Sequence, residues 1–217
     1  MAQDNFVLAV DLDGVCADHT RAFRSVVAVE WGVSEDSLTL ERSWDFVEWG
    51  MDDTEFERLH RLAVVEYRMF AAMDPIDGVA ESLWRLSDAG IWIRIVTHRL
   101  YVNWGHAAAA GDTAQWLDDA RIPYRDLCFL GAKSDVGADA YVEDGPHNIA
   151  ALQRAGREVV VFDQPYNRDL PGRRARSWPE VEEHVLELAA ARADGVQPQL
   201  PGVDAGADRL DRRLGRG

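Results

Sequence analysis

Asp11 and Asp13 stand two residues apart at the exit of the apolar run 6–10, with Gly14 next and Asp18 a little further on. Alternate positions of a strand face the same way, so two like charges share one side, where burial and repulsion both oppose folding. A cation between them would offset that, and hard oxygen ligands at this spacing suit Mg²⁺. The other reading of this stretch alone is a strand end with solvated carboxylates and a turn glycine. The ends of three further runs also carry polar groups. Thr97, His98 and Arg99 follow 91–96, Lys133 follows 128–132, and Glu143 and Asp144 follow 140–142. Ligands of an open α/β sheet bind outside the carboxyl ends of its strands. As a set, these positions supply a nucleophile, an acid or base, a hydroxyl, a cation and further carboxylates for a metal.

The elements that must position them are four short apolar runs, at 6–10, 91–96, 140–142 and 159–162, rich in β-branched residues. Helical patterns separate the later ones, as expected for a parallel sheet with crossover helices. Val79, Leu83 and Leu86 repeat at helical spacing before Gly90, the segment from Asn148 to Gly156 behaves alike, and Val181, Val185 and Leu188 mark a last helix from Pro179 to about Arg192. The fold class expected is α/β, a doubly wound parallel sheet. The stretch 18–77 has no convincing strand. Its helical patterns, 20–31 and 53–72, flank the aromatic segment Ser43-WDFVEW-Gly50, and at that length it exceeds an ordinary connection. It is expected to be an inserted helical cap on a core of 1–17 and 78–193. Residues 194–217, rich in Gly, Pro, Asp and Arg, are expected to be a disordered tail.

Composition narrows the function classes. A net charge of −15 from 23 basic and 38 acidic residues creates a field that repels polyanions, so no nucleic-acid polymer is expected as partner. No apolar run reaches membrane-spanning length, and the start lacks a basic leader; a cytoplasmic protein without membrane association is the expectation. Cys16 and Cys128, the two cysteines, form no metal-binding pattern and are expected to be small buried hydrophobes.

The ordered set D-L-D-G-V, Thr97, Lys133 and Glu143-Asp144 resembles motifs one to four of the haloacid dehalogenase (HAD) superfamily. The resemblance covers roughly 1–17 and 78–165, and the insertion matches by position what that family terms a C1 cap. It implies that Asp11 attacks phosphorus and forms an aspartyl phosphate. Mg²⁺ would be held by Asp11, the Asp13 carbonyl and Asp144, with Glu143, where many relatives have Asp, acting through water. Lys133 and Thr97 would grip phosphate oxygens, and Asp13 would be general acid and then base. An acidic residue two positions after the nucleophile resembles the phosphatase and phosphomutase branch.

Within that branch the chain is similar to the 5′(3′)-deoxyribonucleotidases. The similarity rests on D-L-D-G-V-C-A-D running into the insertion, on the aromatic segment, and on F-D-Q-P-Y-N at 162–167. It implies a small phosphorylated substrate, a nucleoside monophosphate, with Trp44, Phe46 or Trp49 stacking on the base. Those rings packing the cap against itself is the equal alternative. His98 and Arg99 stand either against substrate or on a surface loop, His147 either behind the metal ligands or at a helix start, and Asp18 is expected to cap a helix. Arg168, Arg173, Arg174 and Arg176 are expected in a mobile, solvated loop. A sugar phosphatase or phosphomutase is the rival enzyme, and a catalytically idle metabolite-binding relative the rival of another class. A homodimer stays open.

Overall fold

The computed structural model describes residues 5–100, 104–192 and 214–215. The four apolar runs become β1 (Val7–Val10), β2 (Trp92–Thr97), β4 (Ala140–Glu143) and β5 (Glu158–Phe162), and two further strands flank them, β3 (Asp126–Phe129) and β6 (Arg173–Ala175). All neighbours pair in parallel, in the order β3-β2-β1-β4-β5-β6, so the chain is a doubly wound α/β protein. Period two sorts the side chains. Leu8 and Val10 join one apolar layer, and Ala9, Val159 and Val161 join the layer on the other face.

The first layer is built by α4 (Val79–Asp88), α5 (His106–Asp119) and α7 (Trp178–Arg192), the second by α6 (Pro146–Arg154). The helical spacing read from the sequence is realised in α4, whose Val79, Leu83 and Leu86 are buried, and in α7, where Val181 and Val185 are buried. The last helix begins at Trp178, one residue earlier than expected.

Between β1 and β2 the chain forms α1 (His19–Trp31), α2 (Asp53–Val65) and α3 (Met69–Ala72) before α4. Asp18 caps α1 as expected, its carboxylate accepting from the Arg21 amide at 3.0 Å. The expected single helix over 53–72 is interrupted: Arg68 takes a left-handed backbone with φ 52° and turns its guanidinium onto the buried Asp112 of α5. The ion pair thus sits at the break between the two helices. The segment leaves and rejoins the sheet layer side by side, with Ile76 donating to the Cys16 carbonyl at 2.8 Å and Asp18 to that of Asp74 at 3.0 Å.

The arginine-rich stretch also differs from expectation. Arg173 and Arg174 lie in β6, and the Arg174 guanidinium reaches Asp163 at 2.7 Å, Asn167 Oδ1 at 2.8 Å and the Leu170 carbonyl at 3.0 Å. Those bonds hold the loop before the strand. Cys16 is fully buried, whereas Cys128 is half-buried because β3 is an edge strand. No described helix is long and apolar enough to cross a membrane. The expected tail lies outside the described residues apart from 214–215.

Trp178 links the last helix to the first loop. It is fully buried, and its Nε1 donates to the Val15 carbonyl at 2.9 Å. Trp178→Phe should therefore cost about 2–4 kcal/mol in a urea titration, from lost volume plus an unsatisfied buried carbonyl. A loss below about 0.5 kcal/mol would mean the bond does not support the loop.

Candidate active site

Parallel strands deliver their polar ends to one edge of the sheet, and β1, at its centre, delivers Asp11. The Asp11 amide donates to the Val142 carbonyl at 3.1 Å, locking the exits of β1 and β4 together. Lys133, buried at the start of the turn Lys133–Val136, places Nζ 2.7 Å from both Asp11 Oδ2 and Glu143 Oε2. The other Glu143 oxygen accepts from the Gly145 amide at 3.0 Å and from Asn148 Nδ2 at 3.3 Å. Thr97 is buried at the end of β2, its Oγ1 accepting from the Arg99 amide at 3.3 Å. Asp11, Asp13, Thr97, Lys133, His98 and Asp144 all line one cavity of about 530 Å³.

Electrostatics separates the carboxylates. Burial, and then Glu143, pushes the Asp11 carboxyl well above the usual range, although Lys133 opposes them. Asp144 is pushed up to about 7 by burial and then by Glu143. Burial would raise Asp13 too, but the Arg99 guanidinium outweighs it and holds Asp13 at about 2. Arg99 Nη2 lies 2.7 Å from Asp13 Oδ1. Burial would likewise raise Glu143, and Lys133 outweighs it, leaving that carboxyl below its ordinary value. Lys133 itself is raised, Asp11 and Glu143 overcoming its burial.

Asp11, Glu143 and Asp144 present oxygens within 4.8 Å of one another and could hold a metal ion. The buried Asp144 Oδ1 has no hydrogen-bond partner among the described residues, the mark of an oxygen suited to a cation. Asp13 gives its carboxylate to Arg99, so its expected share in a metal site would fall to its backbone carbonyl. Gly14 makes the crowding possible. At φ 80°, a Cβ there would sit 2.1 Å from Asp144 Oδ2 and 2.7 Å from the Tyr166 hydroxyl.

The three candidate rings separate. Trp44 and Phe46 line the cavity. Trp49 is not among its lining residues: it is buried, stacks on Phe23 at 6.1 Å and donates from Nε1 to the Thr39 carbonyl at 2.8 Å. It is packing for the helical segment, because its indole nitrogen finds a partner only there. Arg99 is buried rather than on a surface loop, and His147 meets the edge of Trp44 at 6.3 Å. Among the further lining residues that sequence reasoning passed over are His19, His60, Arg42 and Tyr166. The histidines sit on helices among apolar residues with no motif around them. Burial and then His19 push the His60 imidazole down to about 3.

A doubly wound sheet whose central strand ends in D-x-D, with a buried Lys and an acidic pair on neighbouring strand exits, defines a HAD-type hydrolase. Solved structures agree at the level of fold. A HAD family hydrolase from Deinococcus radiodurans, solved with phosphate and sodium, superposes with a TM-score of 0.56 at 15% identity, covering 86% of this chain and 97% of its own. Residues 5–193 match the family described as 5′ nucleotidase, deoxy (pyrimidine), cytosolic type C protein. A Chlorobaculum tepidum protein assigned provisionally to the 5′(3′)-deoxyribonucleotidases is 41% identical over 186 residues, covering 85% of this chain and 92% of its own. The 5′(3′)-deoxyribonucleotidase of Bacillus subtilis is 24% identical over 190 residues, covering 83% and 98%. The chain belongs to this nucleotidase family and is a phosphoric monoester hydrolase of the HAD superfamily.

Two outcomes follow from this geometry. Gly14→Ala should cut phosphate release by about 100-fold or more by forcing Asp144 and Tyr166 aside; activity within a few-fold of the parent would show that the loop yields cheaply. His60 folds neutral, with its folded value below its unfolded one, so it contributes stability that is present above about 6.5 and lost as pH falls below it. His60→Gln should therefore shrink the stability difference between pH 7 and pH 5 by about 2 kcal/mol in urea titrations. An unchanged difference would mean that His60 takes up its proton freely in the folded protein.

Proposed function

We propose that the chain hydrolyses deoxynucleoside and nucleoside monophosphates, with Asp11 as nucleophile, an aspartyl phosphate as intermediate, and Mg²⁺ at Asp11, the Asp13 carbonyl and Asp144. The observation that carries the proposal is the convergence of Asp11, Asp13, Thr97, Lys133 and Asp144 on the floor of a cavity walled by Trp44, Phe46, Phe56 and Phe70. The relatives named above act, by their names, on deoxyribonucleotides, and that supports the choice of ester.

The chain's own groups divide the work. Asp11 must attack a phosphate that is itself an anion, and two unit charges 4 Å apart repel by about 4 kcal/mol at an effective dielectric of 20. Lys133, in an ion pair with Asp11, offsets part of this and is close enough to turn a donor toward a phosphate oxygen. Thr97 offers its hydroxyl from the end of β2. A bound Mg²⁺ would supply the remaining charge neutralisation and polarise the phosphoryl group. Asp13, ionised in its pair with Arg99, stands in the base form that the second half-reaction needs, taking a proton from the water that attacks the phosphoaspartate. For the first half it must deliver a proton to the leaving oxygen. An arriving phosphate dianion competes with Asp13 for Arg99, which loosens the pair and lets that carboxylate bind a proton.

The helical segment between β1 and α4 serves as the cap. Trp44 and Phe46 line the cavity where a base would lie, and the buried Arg42 holds its guanidinium 3.8 Å over Phe46. Phosphate release across nucleotides, sugar phosphates and a small aryl phosphate tests the reading. Nucleoside monophosphates should lead in kcat/KM, and a sugar phosphate in that place would move the chain to the rival enzyme class. Trp44→Ala or Phe46→Ala should raise the KM for nucleotides about 5- to 150-fold, the equivalent of 1–3 kcal/mol of stacking, and leave the aryl phosphate little changed. Equal losses on both substrates would make the rings cap packing instead.

A further inference from the structure

The stretch Gln164-Pro-Tyr-Asn167 follows β5 and touches none of the expected catalytic positions in sequence, yet three of its side chains converge on the acidic cluster. Gln164 Nε2 donates to the Gly14 carbonyl at 2.7 Å, and Asn167 Nδ2 to the Asp144 carbonyl at 2.9 Å. The Tyr166 hydroxyl donates to Asp144 Oδ2. The loop thus ties the turn after β1 to the residue after β4. It fixes one oxygen of Asp144 and leaves Oδ1 buried and without a hydrogen-bond partner among the described residues, on a residue whose carboxylate belongs to the cluster.

The outer face of Tyr166 is covered from the helical segment. The Arg42 guanidinium lies 4.5 Å above its ring and Trp44 meets it edge-on at 5.3 Å. Arg42 is itself 6% exposed and anchored within that segment, donating to Thr20 Oγ1 at 2.9 Å and the Ser43 carbonyl at 2.9 Å. Next to this contact, Arg168 pairs with Glu41 at 2.6 Å. One side of Tyr166 therefore reads the seating of the helical segment, and the other sets the carboxylate of Asp144.

We propose that Tyr166 is a positioning residue through which seating of the helical segment and divalent-cation binding at the acidic cluster favour each other, with Arg42 as the contact on the segment's side. This rests on the reading of that cluster as a Mg²⁺ site. A hydrogen bond that holds a charged ligand in place is worth about 10- to 150-fold in an equilibrium constant, and a cation over an exposed or partly buried ring about 2- to 30-fold. Coupling between sites is reciprocal: if seating raises cation affinity, the cation must strengthen seating by the same factor.

The test is calorimetric titration of the substrate-free protein with MgCl₂, using the parent, Tyr166→Phe, Arg42→Lys and Arg42→Ala, with Asp144→Asn as the control. Hydrogen exchange over 41–47 is followed with and without Mg²⁺. Tyr166→Phe should weaken Mg²⁺ about 10-fold or more, and Arg42→Ala about 2- to 30-fold, although Arg42 touches no carboxylate of the cluster. Arg42→Lys, which keeps the charge, should recover part of that loss. Mg²⁺ should slow exchange over 41–47 in the parent and not in Tyr166→Phe. A structural role alone would lower the melting temperature without Mg²⁺ and leave the affinity unmoved. Parent-like Mg²⁺ affinity in Tyr166→Phe and Arg42→Ala, with Asp144→Asn binding none, overturns the coupling and spares the metal site. Absence of Mg²⁺ binding in the parent overturns the metal site, and the coupling with it.

Discussion

The structure depends on an imbalance of charge at the carboxyl end of its sheet. Asp11, Asp13, Glu143 and Asp144 are gathered there, and the cations in ion pairs with them among the described residues are Lys133 and Arg99. The remainder is two negative charges in a buried place. Burial and then Glu143 raise the carboxyls of Asp11 and Asp144, while Lys133 opposes both shifts. A divalent cation would offset that charge and favour the carboxylate form that the proposed attack on phosphorus requires. Each neighbouring feature serves that arrangement. Gly14 gives up a side chain because Asp144 and Tyr166 occupy its volume. Glu143 takes bonds from Lys133, Gly145 and Asn148 so that it can stay ionised while buried.

The proposed division between two half-reactions matches how the carboxylates are paired. Asp11 shares Lys133 with Glu143, so its ion pair is divided and its charge only partly compensated. Asp13 has a guanidinium of its own, at two nitrogens, and keeps its charge. Arg99 is held in turn by Thr113 of α5 at 3.0 Å and lies 4.2 Å from the Phe70 ring of α3. The proposed acid–base group is thus oriented from the helical layer, and the proposed nucleophile from the sheet.

Much of this was legible in the sequence, for identifiable reasons. Strand exits ending in charged residues are improbable unless used, so D-L-D, Thr97, Lys133 and Glu143-Asp144 stood out, and their order carried the fold class with them. The strands β1, β2, β4 and β5 read as apolar runs, whereas the edge strand β3, Asp-Leu-Cys-Phe, showed only through the run 128–132 that overlaps its end, and the edge strand β6, Arg-Arg-Ala, read as loop. The helix α5 was passed over because its alanine-rich turns show little periodicity. Arg99 stayed open between substrate and a surface loop because a buried arginine is recognisable only through its partner, Asp13, which lies 86 positions away. Arg42 and Tyr166 were missed for the same reason, since a cation over a ring between distant segments leaves no local pattern. The aromatic segment resolved into two kinds of ring only in three dimensions, with Phe46 and Trp44 toward the cavity and Trp49 turned to the Thr39 carbonyl.

All of these arrangements converge on the claim that Asp11 takes the phosphoryl group. The most direct measurement is an acid quench of Asp13→Asn within the first turnover on an activated aryl phosphate, whose departure needs little proton assistance, followed by mass spectrometry of the peptides; the substitution then slows chiefly the water step and lets the intermediate accumulate. The account predicts one phosphoryl group on the peptide containing Asp11, absent when Asp11→Asn is added. Phenol released in step with inorganic phosphate, with that peptide unmodified throughout, would contradict it.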